Sequence, residues 1–414
     1  MTSQLPITET IEPADPLELA ATVQSCYDDD VAVYAIGGGT SLALGLPATK
    51  PGKGVALSKL NRVVDYPARD MTITVEAGIT MKSLADQLAT ERQRLPIDVP
   101  NSQQATIGGV IATNFNGPRR YGQGTIRDYV IGISAVDGRG ITFKGGGRVV
   151  KNVAGYDFCK LLTGSLGTLG VIHQVTLKLK PIPERLAMTI CSPRDLAHAD
   201  TILAKLVHSQ TTPVTIALFT GKPSETTSGL KDLATDGATS SLFLVVAWEG
   251  TDTEVRWMID QLGREWWEQG VSAHHTLYDS DALALMEELI EFPAAEECPM
   301  VLKASVVPSA VTSFMKAAED LDPRCSQQAY AGNGIVLVRL SQPPLGGMTK
   351  GLIGRLQSAA AAGQGTLVVL SSTLGEATHQ SIWGSLSSPQ WLFNAVKREF
   401  DPRNILNPGR FVYA

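Results

Sequence analysis

Three glycine clusters constrain this chain more than any other feature. They read IGGGTSL from residue 36, ATIGGVIATNFNG from residue 105 and GSLGTLGVI from residue 164. Glycine loses more backbone entropy on folding than any other residue, so such clusters are expected where the main chain must closely approach another body. Little helical periodicity surrounds them, which predicts strand–loop–strand corners rather than helix ends. Such corners suit a large flat ligand, and a ligand-free glycine-rich sheet corner is the alternative.

The first cluster follows a predicted strand over residues 31–36. A Rossmann G-x-G-x-x-G motif would open a long helix here, and a Walker loop would need Lys followed by Ser or Thr. The chain instead continues as ALGLPATKPGKG, which glycine and proline break repeatedly. Successive amides in such a loop form an anion-binding nest, and Thr40 and Ser41 add hydroxyl donors. We expect the pyrophosphate of a dinucleotide there, with an ordinary turn as the alternative.

Composition and charge exclude several classes of function. The net charge of −6 gives no basic face for nucleic acid. No apolar run approaches the length of a membrane span, and the polar N-terminal stretch is not a secretion signal. The five cysteines are scattered without a C-x-x-C pair, so their spacing fits no iron–sulfur cluster and favours a reduced, cytoplasmic setting.

The order of predicted elements indicates two domains. The first combines strands, a helix from residue 80 and a hairpin that turns at Asp137-Gly138, and it ends at Pro183. Beyond it, strands and helices alternate, which predicts one sheet with helices on one face. A last helix over residues 388–400 precedes a proline-bracketed tail that we expect to dock on the body of the protein.

Taken together, these segments resemble the FAD-binding fold of the vanillyl-alcohol oxidase and p-cresol methylhydroxylase flavoproteins. GGGTSL matches the pyrophosphate loop of that family, ATIGG and GSLGTLGVI match its second and third flavin segments, and NILNPGRF matches its C-terminal tail. The resemblance implies an α+β fold. It places a two-subdomain FAD-binding domain in residues 1–183, a cap domain with an antiparallel sheet and helices in residues 184–387, and a C-terminal helix and tail in residues 388–414, docked on the FAD domain.

The resemblance also implies which residues contact FAD. The implied set is Ile36, Gly37, Gly38, Gly39, Thr40, Ser41, Leu42, Pro100, Thr106, Gly108, Gly109, Thr113, Asn114, Gly117, Gly122, Gly164, Ser165, Gly167, Thr168, Gly170, Val171 and Ile172. Because the GGGTSL loop holds no histidine, where some members of the family attach FAD covalently, we expect non-covalent FAD. We expect no metal site.

Two further runs resemble a narrower group, the FAD-binding E subunit of glycolate oxidase. They are GPRRYGQGTIRDYVIG, from residue 117, and GGRVVKNVAGYD, from residue 146. This resemblance implies a complex with an FAD-containing sister subunit and an iron–sulfur subunit, which oxidises glycolate or a similar 2-hydroxy acid to the 2-oxo acid. Peripheral attachment to the inner membrane through those partners stays open.

One departure bears on catalysis by this chain alone. Hydroxy-acid dehydrogenases of this flavin family usually show H-A-G-D-G-N-x-H, and here Tyr330, Asn333 and Leu337 stand where that segment has histidine, aspartate and histidine. Oxidation needs a group to take the hydroxyl proton, and these side chains do not suit that role. The catalytic residues are therefore unknown. A self-sufficient lactate-type dehydrogenase and a scaffold subunit are the alternatives.

The roles of two polar pairs also stay open from sequence alone. Arg119 and Arg120 suit a substrate carboxylate, the FAD phosphates or a partner. Lys151 and Asn152 suit a position near the flavin or at a contact with another subunit. The alternative is a solvent-exposed lysine and an asparagine in a turn.

Overall fold

The computed structural model describes residues 5–147, 155–220, 242–271, 273–294, 298–343, 352–373, 377–384 and 389–411. The chain divides into two compact units. The first unit comprises Met1–Asn116, Thr125–Ile182 and Ser385–Ala414, and the second comprises Gly117–Gly124 and Pro183–Gly384.

The elements of the described residues follow one another along the chain. Up to Pro181 they are β1 (Ile7–Ile11), α1 (Pro16–Asp28), β2 (Ala32–Ile36), β3 (Gly52–Ala56), β4 (Val63–Asp65), β5 (Thr72–Glu76), α2 (Met81–Ala89), β6 (Gln93–Arg94), α3 (Ile107–Thr113), α4 (Arg120–Gln123), α5 (Ile126–Tyr129), β7 (Val130–Val136), β8 (Thr142–Gly146), α6 (Phe158–Leu162), β9 (Val171–Lys178) and β10 (Lys180–Pro181). After it they are β11 (Arg185–Cys191), α7 (Leu196–Leu206), β12 (Thr215–Thr220), β13 (Leu242–Gly250), α8 (Asp252–Glu268), β14 (His275–Tyr278), α9 (Asp279–Glu291), β15 (Met300–Ser305), α10 (Val311–Leu321), β16 (Ser326–Tyr330), β17 (Ile335–Arg339), α11 (Leu352–Ala362), β18 (Thr366–Ser372), α12 (His379–Trp383) and α13 (Gln390–Phe400).

Two main sheets organise the described part of the first unit. A parallel sheet has the order β1-β3-β2, and an antiparallel sheet has the order β4-β5-β9-β7-β8. Helix α1 begins after Asp15, whose side chain caps it by accepting hydrogen bonds from the amides of Leu17 and Glu18. The predicted hairpin at Asp137-Gly138 is present as β7 and β8.

The second glycine cluster is a helix, which corrects the prediction of a strand–loop–strand corner. Helix α3 begins after Thr106, whose side chain accepts from the Gly109 amide, and ends at Asn114 in the left-handed conformation. A Cβ placed on Gly108 would lie 2.8 Å from the Ala77 Cβ. The glycine therefore lets the helix backbone lie against the end of β5, so close packing overrides the low helix propensity.

The second unit contains, within the described residues, one antiparallel sheet of eight strands in the order β14-β11-β13-β12-β16-β17-β15-β18. Helix α9 packs against Met188 and Val245 on one face of it. Leu244 and Trp248, which alternate onto the other face of β13, are also fully buried, and α8 packs against the same strands. Both faces are therefore covered, which corrects the expectation of helices on one face.

Residues 117–124 group with the second unit, whereas the sequence places them in a continuous domain of residues 1–183. The Gly122 amide donates to the Val214 carbonyl at 3.1 Å, and a Cβ on Gly122 would lie 2.7 Å from the Val214 Cα. Arg119 also pairs with Glu249 of β13. These long-range contacts hold the short segment, and nothing local in its sequence reveals them.

Candidate functional site

The GGGTSL loop leaves β2 with its backbone open to solvent. Gly38, Gly39, Thr40 and Ser41 are exposed. Within the described residues, no hydrogen bond uses the amides of residues 37–41 or the two hydroxyls. Gly39 adopts φ +75°, and nothing lies within 4 Å of the position that its Cβ would take. The loop therefore presents unpaired N–H groups to open space, an arrangement that binds anions such as pyrophosphate.

The first two glycines of the loop are packed against other parts of the protein and do not face open space. A Cβ on Gly37 would lie 2.2 Å from Thr106 Oγ1, and one on Gly38 would lie 1.7 Å from the Gln104 carbonyl oxygen. These contacts place the loop directly against the start of α3. Among the three glycines of this loop, only Gly39 has open space beside its backbone, as the sequence argument for a nearby ligand requires.

The third glycine cluster lies against α3 as well. The amides of Gly164 and Leu166 donate to the carbonyls of Ile111 and Ala112 at 2.9 and 2.8 Å. Gly164, Leu166 and Gly167 all have positive φ, which lets the segment turn around the end of the helix. The loop, α3 and residues 164–168 therefore form one continuous structure in the first unit.

The C-terminal tail holds these segments together. The backbone of Val33 in β2 exchanges hydrogen bonds with Ile405 and Asn407. The Asn407 side chain donates to the Leu166 carbonyl at 2.6 Å, and Arg410 Nη2 donates to the carbonyls of Leu42 and Leu44. One short tail thus contacts both the GGGTSL loop and the third glycine cluster.

A buried ion pair anchors that tail. Lys397 of α13 donates from Nζ to Asp401 Oδ2 at 2.6 Å and to the carbonyls of Thr168 and Leu406 at 2.8 and 3.0 Å. The Asp401 carboxylate also accepts from the amides of Ile405 and Leu406. Burial lowers the pKa of Lys397, and the neighbouring Asp401 carboxylate opposes that shift. Sequence reasoning missed both residues, because a Lys and an Asp four residues apart on a helix usually form an exposed pair.

Most of the predicted FAD residues are brought together, and several are not. Residues 36–42, Thr106, Gly109, Thr113, Asn114 and residues 164–168 belong to the continuous structure described above. The side chains of Val171 and Ile172 lie in hydrophobic cores, and Gly108 and Gly170 are packed against protein backbone. Pro100 is partly buried outside this structure, and Gly117 and Gly122 group with the second unit. Lys151 and Asn152 lie outside the described residues.

The segment that stands in place of the family's histidines belongs to the core of the second unit. Tyr330 and Leu337 pack with Ile335 in a buried cluster, each 2% exposed. Asn333 lies in the short turn between β16 and β17. The side chains of Tyr330 and Leu337 are therefore part of the packed core of the second unit.

Arg119 has an acidic partner in the second unit. Arg119 Nε lies 3.0 Å from the Glu249 carboxylate, and Gln123 donates to the other oxygen of that carboxylate at 2.8 Å. The side chains of Arg119 and Glu249 are 14% and 3% exposed. Glu249 therefore neutralises the charge of Arg119.

Comparison with known proteins supports the assignment of the first unit. Residues 8–146 match a family model described as an FAD binding domain. The chain carries an FAD-binding domain. This match confirms the prediction of FAD, and the unpaired amides of the loop fit the charge of the pyrophosphate in that cofactor. Non-covalent attachment stays a prediction.

Relatives match both the FAD-binding domain and the whole chain. A D-lactate dehydrogenase of Anaerostipes hadrus is 25% identical over 97% of this chain and 89% of the relative. The glycolate oxidase subunit GlcD of Bacillus subtilis is 26% identical over 97% and 88%. The glycolate oxidase subunit GlcE of Escherichia coli is 33% identical over 40% of this chain and 47% of the relative. These homologues confirm the prediction of an FAD-dependent oxidoreductase.

The fold also agrees with a solved flavoprotein. A structure of p-cresol methylhydroxylase superposes with a TM-score of 0.70 at 15% identity, over 98% of this chain and 90% of that one. At this identity the likeness shows the fold, and it confirms the predicted α+β class. No helix in the described part of the chain is both long and apolar enough to cross a membrane.

Proposed function

We propose that this chain is the FAD-binding subunit of a glycolate oxidase-type complex. In this proposal it supports oxidation of glycolate or a similar 2-hydroxy acid to the 2-oxo acid, with electrons passed to a partner iron–sulfur subunit. The observation that carries the proposal is the combination of an open FAD loop with a second unit whose Tyr330 and Leu337 are core residues. The chain holds the cofactor elements but lacks the histidines of the hydroxy-acid dehydrogenase motif.

The residues that would hold FAD have distinct tasks. A bound FAD would supply the hydride acceptor for oxidation of the hydroxyl-bearing carbon. The amides of residues 38–41 would bind the pyrophosphate. Arg410 holds the carbonyls of Leu42 and Leu44 and so limits movement of that loop. Asn407 does the same for residues 164–168.

The comparisons and the surface support a partner. GlcE and GlcD, which match this chain in part and along 97% of it, are both named as subunits of a glycolate oxidase. Trp257 and Trp267 of α8 are 47% and 72% exposed, whereas Trp266 is buried, and exposed tryptophans are enriched at interfaces. Five free cysteines support a cytoplasmic location. Any attachment to the inner membrane would run through the partner subunits.

A self-sufficient FAD-dependent dehydrogenase of a 2-hydroxy acid is the second candidate. The observation that favours it is the match of D-lactate dehydrogenase and GlcD along 97% of this chain, including the second unit. A scaffold subunit without flavin is the third candidate, and the flavin content of the purified chain tests it directly.

The visible spectrum of the purified chain separates these candidates. Glycolate is added without oxygen, first to the chain alone and then with the sister subunits, while the flavin bands are followed. We expect a yellow protein that bleaches only when the partners are present. Bleaching of the chain alone would favour the self-sufficient dehydrogenase, and a colourless folded chain would favour the scaffold. D-lactate, run in parallel, tests the substrate.

A further inference from the structure

Helix α8 presents an exposed stripe on the side opposite its buried face. Its buried side chains are Val255, Met258, Leu262 and Trp266. At about 100° per residue, six exposed residues fall within an arc of about 120° on the other side of the helix. These residues, which we call the α8 stripe, are Arg256, Trp257, Asp260, Arg264, Trp267 and Glu268. The stripe therefore combines two exposed indoles with four charged groups.

The α8 stripe is complementary to itself when the helix is read backwards. Its residues form three pairs at equal distances on either side of position 262, and these pairs are Trp257 with Trp267, Asp260 with Arg264, and Arg256 with Glu268. Each pair joins two aromatic rings or two opposite charges. A two-fold interface requires this kind of match, because residue i of one copy contacts residue j of the other, and the reverse contact is also made.

A two-fold axis at the level of Leu262 would bring two copies of α8 together as antiparallel helices. Asp260 of one copy would then lie beside Arg264 of the second copy, and the same contact would occur twice. Helices that cross at about 20° stay in contact over several turns, so the whole stripe, about 18 Å long, would be covered. Arg264 also donates to Gln261 on its own helix at 2.8 Å, but a guanidinium has further N–H groups for a carboxylate.

A groove beside the stripe gives room for an indole of the second copy. It has a volume of about 400 Å³ and lies between the C-terminal ends of α7 and α8, and its lining includes Lys205, Arg264 and Glu268. Trp257 and Glu268 lie on the same side of the centre line of the stripe, and the two-fold axis preserves that side. The indole of Trp257 from the second copy would therefore lie at the groove, against the Arg264 guanidinium, in a cation–π contact.

We propose that the α8 stripe is the contact surface of a symmetric dimer of this chain. The occupant of the stripe is a second copy, because both the charges and the indoles match the same surface after a two-fold rotation. Four indoles and the charged pairs would bury on the order of 1,000 Å² in total, which is the lower end for a specific interface. We therefore expect a dimer that dissociates in the micromolar range. This inference does not depend on the proposed function.

Sedimentation velocity of the purified full chain, from about 1 to about 100 µM, tests the dimer over the expected range of dissociation constants. Asp260→Arg and Arg264→Asp each place like charges together twice, and each should weaken the dimer about tenfold or more. The double change Asp260→Arg with Arg264→Asp restores opposite charges in reversed order and should restore the dimer. Trp267→Ser should also weaken it, whereas Trp391→Ser, which removes a tryptophan of matching exposure from α13 (71% against 72%), should not.

The outcomes distinguish a second copy from another occupant. A chain that stays monomeric at about 100 µM, or a dimer that the stripe variants leave unchanged, would overturn the proposal. Failure of the double charge reversal to restore the dimer would refute the antiparallel arrangement. A monomer whose binding to the sister subunit is lost in Trp267→Ser would assign the stripe to that subunit instead. Flavin content and bleaching by glycolate do not enter this test, and unchanged melting temperatures show that the variants fold.

Discussion

Replacement of Lys397 by methionine should release the tail from the FAD-binding domain. The change removes three charge-assisted hydrogen bonds, to Asp401, Thr168 and Leu406, at 2.6 to 3.0 Å. It also leaves the Asp401 carboxylate buried without its cation. Loss of one partner of a buried ion pair typically costs about 3–5 kcal/mol, and we expect a value in that range.

The chain supplies a matched control in Lys82. Lys82 forms the same i, i+4 pair with Asp86 on α2, but both side chains are more than half exposed. Exposed pairs of this kind contribute about 0.3–0.5 kcal/mol, so Lys82→Met should be close to neutral. Urea unfolding is followed by circular dichroism and by flavin fluorescence, because the release of FAD reports on the first unit.

The comparison of the two lysine variants tests whether the buried Lys397–Asp401 pair holds the tail in place. We expect Lys397→Met to release flavin at clearly lower urea than the wild type, and Lys82→Met to coincide with the wild type. If both variants release flavin at the same urea concentration, the buried pair does not hold the tail. The double change Lys397→Met with Asp401→Asn should recover part of the loss, because no uncompensated charge remains buried and the side-chain oxygen can still accept from the amides of Ile405 or Leu406.

Further predictions concern the loop, the tail, a thiol and the buried lysine. Gly39→Ala and Gly270→Ala both place alanine at a positive φ with open space around it, so each should cost about 1 kcal/mol of stability. Only Gly39→Ala should also weaken FAD binding, which a fluorescence titration would measure. Arg410→Met should weaken FAD binding about tenfold, because the carbonyls of residues 42 and 44 lose their donor; equal affinity would refute that role. Burial raises the pKa of Cys159 to about 11, so its thiol should resist iodoacetamide at pH 8 in the native protein and react in urea, as mass spectrometry of the labelled peptides would show. Burial lowers the pKa of Lys303, on β15, from its ordinary 10.5 to about 8. The unfolded chain therefore binds that proton more tightly, so the stability of the wild type relative to Lys303→Met should rise between about pH 8 and about pH 10.5. A stability difference that does not depend on pH would show that burial does not lower this pKa.

Local signals predicted most of the regular elements. Asp15 and Thr80 cap helices α1 and α2 as their sequence context indicates, and the Asp137-Gly138 hairpin is present. The sequence does not predict strands β11, β14 and β16. Each lies within a sheet whose order is set by contacts between residues far apart in sequence, and short runs such as SQQAY carry no clear alternation.

The open GGGTSL loop could be predicted from the sequence, but the parts that hold it in place could not. The cluster IGGGTSL suffices to predict an anion-binding loop. By contrast, Arg410 lies 368 residues after Leu42, and Lys397 lies 229 residues after Thr168. No spacing rule joins residues so far apart.

Glycines that match a family motif are weak evidence for its chemistry. In the segment from Tyr330, the two glycines are retained where the histidines are not. A Cβ on Gly332 would lie 2.4 Å from the Tyr121 ring, and one on Gly334 would lie 1.9 Å from the Val306 carbonyl. Packing alone therefore requires both glycines, whether or not the segment takes part in catalysis. The side chain at position 337 is the informative one, and a leucine in the core gives no group that can accept a proton.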